Sequence, residues 1–143
     1  MMPALMEETL VLLKPDCLDG RNCGEVLKRF EEAGFIVFGV KMMRLSDDIL
    51  REHYAHLADK PFFPEIQEFM QSSPVIALAM RGDNAITRVR DMVGPTDSTI
   101  AEKGTIRGDL GQDKMRNVVH ASDSVENGQS ELKRFFLESE LHS

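Results

Sequence analysis

Apolar residues fall along the chain in two kinds of run, short continuous stretches and longer stretches broken at helical spacing. Thr9 to Lys14 (TLVLLK) is a short apolar run stopped by Pro15 and Asp16, which predicts a buried strand that delivers Lys14 to its end. Val26, Leu27 and Phe30 recur at helical spacing between Gly24 and Glu32, and Gly34 is placed to close that helix. Phe35 to Val40 (FIVFGV) reads as a second strand. Ser46 offers an N-cap, and Asp47 with Asp48 a negative first turn, for a helix that carries Ile49, His53, Tyr54 and Leu57 and ends before Pro61. Pro64 starts a short helix through Phe69. Pro74 introduces a third strand, VIALAM at residues 75 to 80, and Asn84 to Val93 follows as a helix closed by Gly94. Pro95 to Arg116 is rich in Gly, Asp and Thr with weak periodicity and reads as a long loop, a kind of segment that is usually functional. Val118 and Val119 make a short fourth strand, and Ser124 to Glu138 a final helix.

The resulting order is β, α, β, helical insert, β, α, β, α. It predicts an α+β fold of the ferredoxin-like βαββαβ type, with a four-stranded antiparallel sheet, the helical insert and an additional C-terminal helix. No internal repeat, low-complexity stretch or Gly, Ser or Pro-rich linker divides the chain, so residues 1–143 are expected to form a single domain. Fold alone leaves activity open.

Composition narrows the function classes. With 42% hydrophobic and 29% charged residues the chain resembles ordinary globular domains and not disordered or fibrous ones. A formal net charge of -7 argues against a general nucleic-acid binder, whose affinity comes from cations on phosphates, but a local cluster of cations still suits one small anion. The start, Met1 to Glu8, is acidic where a signal peptide would be basic, and no apolar run reaches the length of a membrane span. A cytoplasmic protein without membrane partners is expected. Cys17 and Cys23 are too few for a disulfide framework or a zinc set and are read as reduced thiols.

The common phosphate cradles, the P-loop among them, are absent from the sequence. What remains is a scatter of polar positions: Lys14 at a strand end, Arg90 on a helix, Thr96 and Arg107 in the long loop, Asn117 and His120 beside the last strand. Brought together they would make a cationic pocket around a histidine, adequate for phosphoryl transfer, which asks for placement and charge compensation, with the imidazole as nucleophile. Each position taken singly also has a structural reading. A histidine beside a strand is commonly a satisfied structural residue, and Lys14, Arg90 and Arg107 are explained equally by snorkelling or solvated surface charge.

Read together, the segments TLVLLKPD (9 to 16), HYAHLADKPFFPEI (53 to 66), VRDMVGPTD (89 to 97), GTIRGDL (104 to 110) and RNVVHASDS (116 to 124) resemble the nucleoside diphosphate kinase family in order and spacing, from Thr9 to Phe136. The resemblance implies a ping-pong enzyme in which a nucleoside triphosphate, typically ATP, donates its terminal phosphoryl group to His120 and a nucleoside diphosphate removes it. It further implies Lys14 and Tyr54 near the transferred group, and Arg90, Thr96 and Arg107 on the remaining phosphates. Lys14 and Asn117 would meet the ribose hydroxyls, and Phe62 would stack on the base. Glu131 matches the carboxylate that orients the histidine, and Ser122 a hydroxyl close to it. Mg²⁺ would bridge the nucleotide phosphates without a direct protein ligand, Asp123 being reached at most through water. A homo-oligomer, tetramer or hexamer, is also implied. Four positions depart from the family's usual residues: Pro95, Ser98 and Lys103 in the long loop, and Ala121, where a glycine commonly follows the histidine. The rival readings are a catalytically inactive kinase-like interaction or regulatory module and a ferredoxin-like nucleic-acid binder. Against the first stands the presence of a nucleophile together with its orienter.

Overall fold

The computed structural model describes residues 6–142. Met6–Leu13 forms β1, Pro15–Asp19 a short helix α1, Cys23–Glu32 helix α2 and Ile36–Met43 strand β2. Helices α3 (Asp47–His53) and α4 (Phe63–Met70) precede β3 (Val75–Asp83) and α5 (Ala85–Val93). Helix α6 (Ile106–Leu110), β4 (Val119–Ala121) and α7 (Val125–Phe135) complete the order. The sheet runs β2-β3-β1-β4 with every neighbouring pair antiparallel, the architecture that the element order predicts.

Period two along the strands divides the core between two faces. Val11 and Leu13, Leu78 and Met80, Val119 and Ala121 meet Val26 and Phe30 of α2 and Ala85 and Val89 of α5. On the other face Leu10 and Leu12, with Ala77 and Ala79, meet Leu50 of α3, Phe63 and Met70 of α4, and Leu132 and Phe135 of α7. Because the second half of β1, Leu10 to Leu13, is covered on both sides, that stretch is continuously apolar instead of alternating, and each buried leucine contributes about 1.5–3 kcal/mol. No helix among the described residues is long and apolar enough to cross a membrane.

Five segments differ from their sequence expectation. The helix capped by Ser46, whose Oγ accepts from Ile49 N at 3.2 Å, ends at His53 and leaves Tyr54 and Leu57 outside it. Ahead of Pro61 the chain tightens through Leu57 N to Tyr54 O (2.8 Å), Lys60 N to Leu57 O (2.9 Å) and Phe63 N to Lys60 O (3.0 Å), which buries Phe63 and leaves Phe62 at the surface. The final helix ends at Phe135 and not Glu138, because Phe136 turns extended to bury its ring in the second core cluster. The long loop from Pro95 contains a 3-10 turn at Ser98–Ile100 and α6, which is capped by Thr105 Oγ1 accepting from Gly108 N (3.0 Å). Strand β4 starts at Val119, since Val118 has φ 75°, a conformation rarely open to a β-branched residue. Helix α1 went unforeseen because five residues opened by a proline carry too little periodicity to register.

Candidate active site

Strand β4 alternates Val119 and Ala121 into the first core face and turns His120 to the other, opposite Leu12 in register. That is the face on which α7 lies, so Glu131 of α7 comes within 2.6 Å of His120 through its Oε1 and the ring's Nε2. A carboxylate accepts, so Nε2 donates and Nδ1 is left as the unprotonated nitrogen of the neutral ring. Ser122 Oγ accepts from Leu10 N (3.1 Å) and lies 3.0 Å from the same Oε1, to which it donates. Ser122 is fully buried, whereas the side chain of His120 keeps 24% of its surface exposed.

The histidine lines an open cavity of about 1370 Å³ into which Lys14, Tyr54, Phe62, Arg90, Thr96, Arg107, Asn117 and Asp123 also face. Lys14 stands at the end of β1, 7% exposed, and donates to Met115 O (2.7 Å) and Asn117 Oδ1 (2.6 Å). Burial pushes its ammonium down to about 8. Arg107 reaches from α6 to the carbonyls of Asn117 (3.2 Å), Gly94 (3.0 Å) and Val119 (2.7 Å). Burial, then Arg90, lower it to about 10, and it stays cationic at neutral pH. Arg90, on the last turn of α5, donates to Ala121 O at 3.3 Å. Burial raises the Tyr54 phenol to about 12, so it remains a neutral donor. Phe62 stands 47% exposed at the cavity mouth, available to a flat partner.

Each expected site residue therefore lines this cavity or, for Glu131 and Ser122, supports the histidine within or just behind it. Asn117 differs in kind: it is 3% exposed, and its amide is committed to Lys14, to Thr96 O and to Lys114 O (3.0 Å each for the two carbonyls), so it ties the lysine to the loop. Ala121 lies inside β4 without positive φ, and a Cβ there costs no backbone strain. Two neighbours escaped the sequence reading. Asp16 Oδ2 accepts from Val118 N (2.9 Å) and pins the strained turn that precedes β4. His53 lies edge-on to His120, with centroids 4.5 Å apart. Its place was legible only as a helical position on the sequence, since the chain's turn after α3 decides what it faces.

His53, His120 and Glu131 bring ligand-type atoms within 4.8 Å of one another. They do not suit a metal ion: Arg134 donates to Nδ1 of His53 at 2.9 Å, which leaves the proton on Nε2, and Nε2 of His120 is engaged by Glu131. A histidine with one free nitrogen, beside three cations in an open cavity with an aromatic at its mouth, has the equipment to transfer a phosphoryl group from a polyphosphate ester.

Comparison with known proteins agrees. The family model "Nucleoside diphosphate kinase" matches residues 7–141. A nucleoside diphosphate kinase of Parabacteroides distasonis is 48% identical over 136 residues, covering 95% of this chain and 89% of its own. One from Rhodopirellula baltica is 44% identical over 136 residues, covering 95% and 90%. The halophilic nucleoside diphosphate kinase from Halobacterium salinarum in complex with CDP superposes with a TM-score of 0.93 at 38% identity, covering 97% of this chain and 93% of that one. The chain belongs to the nucleoside diphosphate kinase family, and it is an enzyme of that activity.

Proposed function

We propose that His120 carries the phosphoryl group between a nucleoside triphosphate and a nucleoside diphosphate, one cavity serving both halves of the reaction. The observation that carries this reading is the 2.6 Å bond between Nε2 of His120 and Glu131, which leaves Nδ1 with the lone pair. In the first half Nδ1 attacks the terminal phosphorus, an N–P bond forms, the bridging P–O bond breaks, and the nucleoside diphosphate leaves with the electron pair. In the second half a terminal oxygen of the incoming diphosphate attacks the same phosphorus and the N–P bond breaks. Glu131 balances the positive charge that grows on the imidazole, and Ser122 holds Glu131.

Lys14 and Tyr54 would donate to the moving phosphoryl oxygens, and Arg90, Arg107 and Thr96 would hold the remaining phosphates. Lys14 and Asn117 would meet the ribose hydroxyls, Asn117 chiefly by fixing the lysine. Phe62 would take the base on its exposed face, which tolerates any base because all have a π-face. Mg²⁺ supplies charge neutralisation on the phosphates when bound. Asp123 fits such a water-mediated contact: it lines the cavity, and its bond from Asn127 holds its carboxyl below the usual range.

Incubation with γ-labelled ATP, removal of nucleotide and a chase with GDP tests the reading. Acid-labile, base-stable label that GDP removes is expected on the wild type and not on His120→Ala. Label that persists in His120→Ala would sink the assignment. The reading extends to a single domain that works as a homo-oligomer, tetramer or hexamer. Support comes from β2, one of the two edge strands of the sheet, which presents Ile36, Val40 and Met42 to the surface at 48%, 61% and 63% exposure.

A further inference from the structure

His53 is a buried titratable group to which the proposed chemistry gives no task. It ends α3, is 8% exposed, and lies edge-to-face with the rings of His120 (4.5 Å, 79°), Tyr54 (4.9 Å, 75°) and Phe135 (5.2 Å, 83°). Nη1 of Arg134, on α7, stands 2.9 Å from its Nδ1. A guanidinium has donors only, so Arg134 donates and Nδ1 holds the lone pair. The proton of the neutral ring is then on Nε2, which has no nitrogen or oxygen partner. Nε of Arg134 lies 3.2 Å from Glu52 Oε1, an ion pair by distance without hydrogen-bond geometry.

The nucleophile has a matching gap in its restraint. His120 is anchored at Cβ by β4 and at Nε2 by Glu131. Two anchors define an axis, and the ring is free to rock about it, carrying Nδ1 along an arc. A flat neighbour at 4.5 Å closes that freedom if it neither swivels nor changes tautomer. In-line attack is sensitive to displacements well below 1 Å, so the rocking angle matters to rate.

We propose that His53 is a positioning residue for His120: Arg134 locks its neutral Nε2–H tautomer, and the locked ring fixes the rocking angle of the imidazole that takes the phosphoryl group. This rests on the reading of His120 as nucleophile. Charge agrees with geometry. Burial first, then His120, Arg134 and His56, hold His53 far below the usual histidine range. Beside it also stand Tyr54, which stays neutral, Glu131, which is turned to His120, and Glu52, which is paired with Arg134.

The test uses the full chain with ¹⁵N in its histidines. The His53 nitrogens are expected to report a neutral ring protonated at Nε2, unmoved as pH passes through the range in which free histidine titrates. In Arg134→Met the same signals are expected to show both tautomers. His53→Ala should slow single-turnover phosphorylation of His120 by ATP on the order of tenfold to a hundredfold at unchanged KM, and His53→Phe, which restores a flat ring, should recover most of the loss. If His53→Ala does not fold, Arg134→Met carries the kinetic test with the same expected direction. A His53 protonated at Nδ1, or titrating near neutrality, overturns the lock. Wild-type phosphorylation in folded His53→Ala, or an effect on KM alone, overturns the positioning role. A wild-type chain that takes up no phosphoryl group overturns the reading of His120 instead, and the nitrogen signals still decide the lock.

Discussion

Lys14 shows how one buried side chain couples pH to function. Its ammonium is held down to about 8 chiefly by burial, so the proposed phosphate contact loses its charge as pH rises through that value. The rate of phosphoryl transfer is expected to fall above pH 8, and Lys14→Arg, slower overall, should lack that alkaline limb; stopped-flow rates against pH measure it. Stability has the opposite sign. The folded state binds this proton less tightly than the unfolded chain, so the lysine's contribution to stability rises with pH from about 8 to the ordinary lysine value of 10.5. Arg107 has two tasks, charge in the cavity and donors to three carbonyls. Arg107→Ala should slow transfer by about a hundredfold or more, and it should also cost roughly 1–3 kcal/mol in urea melts because those carbonyls lose their donor. A slow variant with unchanged stability would contradict the structural half of this account.

At the scale of elements, the segment between α5 and β4 is the one whose sequence pattern says least and whose glycines leave least room for a side chain. A Cβ on Gly108 would overlap the carbonyl of Glu102, and one on Gly111 would overlap Ser98. Gly108→Ala is therefore expected to cost about 1–3 kcal/mol by overpacking and to raise KM for nucleotide, since α6 carries Arg107. Hydrogen exchange should locate the loosening in residues 95–116 and leave β1 and β3 protected; uniform loosening would count against a local effect. The helices flanking this segment were legible from their caps and spacing. α6 was not, because a five-residue helix fixed by Thr105 and by glycines in close approach leaves no periodic signal.

At the scale of the molecule, the proposed nucleophile depends on a core that it does not touch chemically. Leu12 is fully buried and lies opposite His120 in the β1–β4 register. Leu12→Ala is expected to cost about 2–5 kcal/mol in thermal or urea unfolding, with a smaller effect on rate under conditions where the variant is folded. The outer face of β2 carries the expectation about assembly. Val40→Lys should shift a homo-oligomer toward smaller species in sedimentation velocity while the monomer fold survives, and an unchanged distribution would place the contacts elsewhere.

The sequence by itself determined the strands, most helices and their order, because burial on one or both faces writes a period into the residues. It also determined which residue types were present for phosphoryl transfer, through segments similar to one family. Only the tertiary structure decided what those residues meet. Period two sends His120 to the face where α7 returns Glu131, a tight turn before Pro61 separates Phe62 from Phe63, and the end of α3 sets His53 between Arg134 and His120. Such meetings join positions far apart along the chain. They are fixed by packing of whole elements, which local spacing does not encode.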